Sequence, residues 1–292
     1  MKAPAFDYAR ATSVGHAIAL LGQHGDRAKV LSGGQSLMPA MNLRLLAPEV
    51  IVDIGALDEL RGIVGKDGSL RIGALTRHVD LQNSADIAAH APLLKEAVAH
   101  VAHPAIRNRG TIGGSLAHAD PASELPACVI ALDATIVISG PGGERRIAAQ
   151  DFFLGIYETA LSPDELLVAI DVPLPPPDAA HYFCEFTRRN GDYAIVGLAA
   201  QAVVDNQKLI ELRSVFFGVG DKAEYVELPK LLDTSVTRQV LSDALQVLEQ
   251  ALDPPEDQQA SSAMRHHLTK VLLSRCVAEL LSRPDLKNWE PA

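Results

Sequence analysis

The stretch Ala28-Lys-Val-Leu-Ser-Gly-Gly-Gln-Ser-Leu37 decides the fold of the first part of the chain. A short apolar strand, Ala28 to Leu31, runs directly into a glycine pair, and a helical apolar segment is predicted from Leu37 to Leu46. A strand that leads through glycines into a helix is typical of α/β units that bind a ligand at the turn.

The flanking sequence completes this unit. Thr12 or Ser13 can cap a preceding helix, which Gly25 ends. The β-branched run Val50 to Ile54 predicts a second buried strand, since it lies between a proline and a glycine. The pattern therefore predicts a compact α/β subdomain over residues 1–58.

A second subdomain is predicted over residues 59–176, where the pattern changes. Asp67-Gly68 supplies the backbone conformations of a tight hairpin. The further elements predicted here are helices from Pro92 to Val101 and from Pro121 to Leu132, strands from Thr135 to Ser139 and from Leu166 to Asp171, and a loop from Thr111 to Ser115.

A proline-rich segment, Pro173-Leu-Pro-Pro-Pro177, predicts the boundary between two domains, because it cannot continue a helix or donate to a strand ladder. The predicted domains are residues 1–176 and 177–292. The second contains strands from Tyr193 to Val204 and from Lys208 to Val219, and helices from Thr237 to Leu252 and from Gln258 to Leu281. The predicted fold class is α+β.

Composition excludes several classes of protein. With 48% hydrophobic and 21% charged residues, the 292-residue chain can bury a core and is not disordered. Its net charge of -10, without a basic stripe, argues against nucleic acid as a partner. There is no run of 18 apolar residues, so no membrane span is expected, and the N-terminal sequence predicts a cytoplasmic protein.

The two Gly-Gly segments carry the clearest chemical signal. Glycines allow consecutive backbone N-H groups to point at one anion, and they let a phosphate approach without meeting a Cβ. Small polar residues flank both pairs: Ser32, Gln35 and Ser36 in the first, Thr111 and Ser115 in the second. The two segments could share a pyrophosphate, or they could be ordinary tight turns. Neither matches a Rossmann fingerprint or a P-loop.

Other candidate sites are weaker. His100 and His103 lack a third metal ligand at a suitable spacing, and the adjacent His266 and His267 point in different directions on a helix. The three cysteines, Cys128, Cys184 and Cys276, are too far apart for a zinc or iron-sulfur signature. No metal ligand and no catalytic acid, base or nucleophile is therefore predicted.

Three motifs in order resemble the FAD-binding medium subunit of molybdenum hydroxylases, the family of carbon monoxide dehydrogenase medium chains and of the flavin domain of xanthine dehydrogenase. They span Ser32 to Arg44, His103 to Pro126 and Arg188 to Val196, and the resemblance covers nearly the whole chain. It implies a two-subdomain FAD-binding domain of the vanillyl-alcohol-oxidase-like type, followed by a small α+β domain.

The resemblance also implies a set of site residues for noncovalent FAD. The pyrophosphate would be held by Ser32, Gly33, Gly34, Gln35, Ser36, Thr111, Ile112, Gly113, Gly114 and Ser115. Asp120 and Glu124 match positions on the ribose and adenine side. Arg188 and Tyr193 either lie near the cofactor or support the domain interface. The chain departs from many relatives at Ser115, where they have Asn, and at Glu124, where they have Asp.

The implied function is electron relay. In such enzymes a large subunit holds the molybdenum cofactor, a small subunit holds two [2Fe-2S] clusters, and FAD in the medium subunit passes electrons to an external acceptor. The expected assembly is a dimer of heterotrimers. Two alternatives stay open: a stand-alone FAD-dependent oxidase, and a non-enzymatic assembly subunit whose glycine segments are only turns.

Overall fold

The computed structural model describes residues 2–287; the predicted outer ends of the two domains, residues 1 and 292, lie outside the described residues. The first unit is a parallel three-stranded sheet in the order β1-β3-β2, with one helix packed against it. Its elements are β1 (Asp7–Arg10), α1 (Val14–His24), β2 (Ala28–Leu31), α2 (Leu37–Asn42) and β3 (Val50–Asp53).

The second unit is built on a five-stranded antiparallel sheet in the order β4-β5-β10-β6-β7. Helices lie between β5 and β6 along the chain. The elements are β4 (Ile63–Lys66), β5 (Ser69–Gly73), α3 (His78–Asn83), α4 (Ala85–His90), α5 (Pro92–His100), α6 (Pro104–Arg107), α7 (Ile112–His118), α8 (Glu124–Ala131), β6 (Thr135–Gly140), β7 (Gly143–Ala148), α9 (Ala149–Phe152), β8 (Phe153–Gly155), β9 (Glu158–Thr159) and β10 (Leu166–Pro173).

The C-terminal region is a four-stranded antiparallel sheet, β11-β12-β13-β14, covered by two long helices. Its elements are β11 (Ala179–Phe186), β12 (Val196–Asp205), β13 (Lys208–Phe217), β14 (Glu224–Val226), α10 (Arg238–Ala251) and α11 (Ser262–Leu280). The predicted boundary at residue 176 falls between β10 and β11, and the one at residue 58 falls between β3 and β4. Both divisions stay predictions.

Most predicted elements are confirmed, and the differences have local causes. The predicted loop from Thr111 to Ser115 is wrong, because α7 starts at Ile112 with Thr111 as its N-cap. The helix predicted to reach Leu46 ends at Asn42, and Arg44 has a left-handed backbone with φ of 60°. The helix predicted from Pro121 starts only at Glu124.

Three buried clusters form the core. One lies under the three-stranded sheet and α1, and one lies between the C-terminal sheet and its helices. The third fills the second unit and also includes Phe183, Ala199 and Phe217 from the C-terminal sheet. The C-terminal sheet therefore packs directly on the region that carries the second glycine segment.

Candidate functional site

The first glycine segment presents unused backbone donors. It links β2 to α2, its residues are all half-buried, and Gly34 has a left-handed φ of 71°. Within residues 2–287, the N-H groups of Gly33, Gly34, Gln35 and Ser36 donate to no protein oxygen. These donors are free to bind a ligand or water, and a run of four consecutive N-H groups fits an anionic ligand.

The second glycine segment is different, because its backbone is already occupied. The N-H of Ile112 donates to the Thr76 carbonyl over 3.0 Å, and that of Gly113 donates to the Ala74 carbonyl over 2.9 Å. The N-H groups of Gly114 and Ser115 donate to the side chain and carbonyl of the N-cap, Thr111. The interpretation of this segment as a second backbone nest is therefore wrong; it offers hydroxyl groups instead.

The two segments are in direct contact. The hydroxyl oxygens of Ser32 and Thr111 lie 2.7 Å apart. A Cβ built on Gly33 would overlap the Arg109 carbonyl oxygen, and one built on Gly113 would lie 2.6 Å from the Cβ of Ala74. Gly33 is required where the first segment lies against Arg109 and Gly110, and the first segment therefore lies beside the Thr111 hydroxyl at the N-cap of α7.

A third segment, residues 119–123 (the Asp120 segment), connects α7 to α8 and continues this surface. Asp120 Oδ1 accepts from the Ala122 N-H over 2.9 Å, and its Oδ2 accepts from the Tyr157 hydroxyl over 3.4 Å. The Ser115 and Ser123 hydroxyl oxygens lie 3.3 Å apart, which connects α7 to this segment. Asp120 is buried, so its carboxylate is a preorganised acceptor.

Tyr157 is the residue at this site that the sequence analysis missed. It has a left-handed φ of 56° in the turn between β8 and β9, and its ring lies 4.8 Å from the ring of His118. Partial burial raises the pKa of Tyr157 and lowers that of His118. The only sequence signal for Tyr157 is the apolar run Leu154-Gly-Ile-Tyr157, whose large side chains are exposed in the structure. An exposed aromatic side chain alone does not identify a site.

Glu124 opens α8 and is buried where the C-terminal sheet packs on the second unit. Burial raises the pKa of Glu124 to about 8, and the nearby carboxylate of Glu185 adds to the effect. On the same side, His100 Nδ1 lies 3.4 Å from Glu185 Oε1, and this contact raises the pKa of His100. The Glu124 carboxyl is therefore mainly protonated at neutral pH.

Tyr193 and Arg188 occupy different surroundings. Partial burial raises the pKa of Tyr193, and the negative charge of Asp120 and the neighbouring Tyr157 contribute. Tyr193 is thus near enough to Asp120 and Tyr157 to feel their charges, although the residue is 59% exposed. Arg188 instead donates to the Gln258 carbonyl over 3.0 Å in the C-terminal region. Tyr193 therefore lies near the candidate site, whereas Arg188 contacts the loop that precedes α11.

No helix within residues 2–287 is long and apolar enough to cross a membrane. Among the same residues, no group of three or more His, Cys, Asp or Glu side chains could hold a metal ion.

Comparison with known proteins agrees with the fold and identifies the family. Residues 4–175 match the model of the FAD binding domain in molybdopterin dehydrogenase, and residues 181–280 match that of the CO dehydrogenase flavoprotein C-terminal domain. The chain therefore belongs to the family of FAD-binding medium subunits of molybdenum hydroxylases, a family of oxidoreductase subunits. The predicted family and fold class are confirmed.

Individual relatives match over nearly their full length. The chain is 41% identical to the 6-hydroxypseudooxynicotine dehydrogenase complex subunit alpha of Paenarthrobacter nicotinovorans, over 97% of each chain. It is 39% identical to the carbon monoxide dehydrogenase medium chain of Hydrogenophaga pseudoflava, over 87% of this chain and 89% of that one. A solved structure of carbon monoxide dehydrogenase from the same organism superposes with a TM-score of 0.94 and 36% identity, over 97% of this chain and 99% of that chain.

Proposed function

We propose that the chain is the FAD-carrying electron-transfer subunit of a heterotrimeric molybdenum hydroxylase. Family membership supports the medium-subunit role. The observation that carries the proposal is the run of four unused N-H groups from Gly33 to Ser36 beside the hydroxyls of Thr111 and Ser32. Such a surface fits a dianionic pyrophosphate, because consecutive backbone N-H groups can point at one anion.

The proposed FAD site uses the two glycine segments for different tasks. The backbone of Gly33, Gly34, Gln35 and Ser36 binds the pyrophosphate, and the hydroxyls of Ser32, Thr111 and Ser115 supply side-chain hydrogen bonds. Ile112 and Gly113 contribute by fixing α7 against Ala74 and Thr76, while Gly114 keeps the N-cap intact. No His or Cys is assigned a covalent bond to the flavin.

The acidic residues have complementary roles in this proposal. The Asp120 carboxylate accepts hydrogen bonds from ribose hydroxyls. Glu124, with a pKa of about 8, is protonated at neutral pH and can donate as well as accept. Tyr193 presents an exposed ring on the cofactor side, and Arg188 supports the segment that carries Tyr193.

Bound FAD would supply the redox chemistry, since its isoalloxazine ring accepts and releases electrons reversibly. The protein's task is to hold and orient it. The proposal assigns the molybdenum cofactor to a large partner subunit and the [2Fe-2S] clusters to a small one. FAD held by this chain would pass electrons on to an external acceptor, and the proposed assembly is a dimer of heterotrimers.

The proposed location is the cytoplasm. Cys128, Cys184 and Cys276 are all free thiols in the structure. Free thiols suit a reducing compartment, where disulfides rarely persist.

Reconstitution tests the proposal. The purified chain is expected to bind one FAD noncovalently and to release it on denaturation. Dithionite should reduce this flavin, whereas organic substrates should bleach it only after the molybdenum and iron-sulfur subunits are added. The assay is anaerobic mixing with each component in turn, followed at the flavin absorbance band. Rapid bleaching of the isolated chain by an organic substrate would instead establish a stand-alone oxidase, and absence of flavin binding would establish an assembly subunit.

A further inference from the structure

The segment that carries Tyr193 is held at both ends by one part of the C-terminal region. This segment, residues 188–195, connects β11 to β12. At its start, Arg188 donates to the Gln258 carbonyl over 3.0 Å. At its end, the Ile195 carbonyl accepts from the guanidinium of Arg265 on α11. The loop of residues 257–260, which precedes α11, thus lies close to both ends.

Arg265 is an unusual residue for a surface helix, because it is only 3% exposed. Its Nη1 donates to the Ile195 carbonyl and, over 2.7 Å, to the Gly218 carbonyl. Its Nη2 lies 2.8 Å from Oδ2 of Asp257. A buried guanidinium needs such a counter-charge and such acceptors, since an unpaired one would be strongly destabilising.

Asp257 is itself fixed by the loop. Its Oδ1 accepts from the N-H groups of Gln259, over 2.8 Å, and of Ala260, over 3.1 Å. Burial alone would raise the pKa of Asp257, but these hydrogen bonds and the Arg265 charge outweigh it and lower the pKa. The loop of residues 257–260, the Asp257 carboxylate and the Arg265 guanidinium therefore form one connected unit.

The same unit reaches the Asp120 segment. Gly218, whose carbonyl accepts from Arg265, donates its N-H to the Pro121 carbonyl over 2.9 Å. The middle of segment 188–195 is also constrained, because a Cβ on Gly191 would lie 2.9 Å from the Ala102 carbonyl oxygen. Tyr193 and Asp120 are thus set relative to each other through contacts that converge on Arg265.

We propose that Arg265 and Asp257 are positioning residues that fix Tyr193 relative to the Asp120 segment and thereby set the affinity for FAD. This inference rests on the proposed function. Neither side chain is assigned a contact with the cofactor. Their effect on the cofactor passes through Tyr193.

A double-mutant cycle on the full-length chain tests this inference. Asp257→Asn removes the counter-charge from a half-exposed position and keeps the size of the side chain. It should weaken FAD binding about tenfold, the value of one charge-assisted hydrogen bond. In a Tyr193→Leu background the same substitution should weaken binding less than about twofold, because the positioned ring is gone. The conservative variant Asp257→Glu should restore most of the affinity.

Glu249→Gln is the matched control. Glu249 also pairs with a cation on α11, Lys270, over 2.9 Å, and its side chain is 49% exposed against 47% for Asp257. Glu249→Gln should keep the FAD affinity within about twofold of that of the unsubstituted chain. FAD titration by flavin fluorescence measures every variant, with thermal unfolding of the apo forms as a check on folding.

The outcomes separate the two proposals. Equal weakening by Asp257→Asn with and without Tyr193, or no weakening at all, would overturn the positioning role and leave the FAD site intact. Failure of the unsubstituted chain to bind FAD would overturn the proposed function itself.

Discussion

Removal of one hydroxyl group, in Thr111→Val, tests how the two glycine segments cooperate. Thr111 is buried, and valine has nearly the same shape. Its Oγ1 caps α7 by accepting from the Gly114 N-H over 3.2 Å, and it lies 2.7 Å from the Ser32 hydroxyl. Loss of an N-cap costs about 1 kcal/mol, and loss of a second hydrogen bond costs about 1 kcal/mol more. The expected loss in the free energy of unfolding is thus about 2 kcal/mol.

For a chain of this length, that loss corresponds to a decrease in Tm of roughly 4–8 °C. FAD affinity should fall by at least about tenfold, because Ser32 would lose the contact that orients the first segment. Denaturant unfolding of the apo protein and FAD titration measure the two effects. Thr111→Ser keeps the hydroxyl and is the control, expected to stay near the unsubstituted protein in both assays. Unchanged FAD affinity in Thr111→Val would refute the reasoning that the segments act as one site.

Glycine geometry and two buried titratable groups give the remaining predictions. Gly33→Ala should lower the free energy of unfolding by about 1–3 kcal/mol, because the added Cβ would overlap the Arg109 carbonyl. Gly142→Ala is the control: its added Cβ would meet no atom within 4 Å, so the free energy of unfolding should change by less than about 0.5 kcal/mol. Chemical denaturation measures both variants. Burial raises the pKa of Glu124 from 4.5 to about 8. The stability that Glu124 contributes is therefore complete below pH 4.5 and is lost as pH rises through 8. Glu124→Gln should flatten the plot of the free energy of unfolding against pH in this range. Burial lowers the pKa of His78 from 6.5 to about 4, so its contribution is complete above pH 6.5 and is lost as pH falls through 4, and a profile for His78→Gln that keeps the same slope would contradict this assignment.

Elements with local signals are predictable from the sequence. Ser13 caps α1 by accepting from the His16 N-H over 3.1 Å, and Gly25 ends this helix with a φ of 54°. Asp67 and Gly68 both have positive φ in the hairpin between β4 and β5. In each case the side chain or the missing Cβ acts within a few residues, so the pattern alone is sufficient.

Elements stabilised by distant partners are not predictable in this way. Strand β1 is largely exposed and pairs with β3 in the register Asp7 to Val50, so its own pattern does not indicate a strand. Strand β11 follows a proline-rich segment and takes its form from the full-length pairing with β12. Long-range pairing decides both elements.

The site shows the same limit. The Gly-Gly pair after Thr111 favours a loop by propensity, yet it lies in a helix because the Thr76 and Ala74 carbonyls accept the first N-H groups. Arg265 lies 70 residues from Ile195 in sequence, and no spacing rule connects them. The glycine segments were therefore visible in the sequence as candidates, whereas Tyr157 and the residues that position the site were not.

The shared core also limits how FAD can reach its site. Phe183 and Phe217 of the C-terminal sheet lie in the same buried cluster as Leu94 and Leu125, and their rings stack at 5.9 Å. A hinge movement at the predicted boundary would expose these side chains to water. The free-energy cost would be about 25 cal/mol for each Å² of apolar surface exposed. The segment from Ser32 to Ser36, in contrast, is only half-buried and keeps its N-H groups unused. We therefore expect FAD to enter by local movement of surface segments, with the two regions packed together throughout.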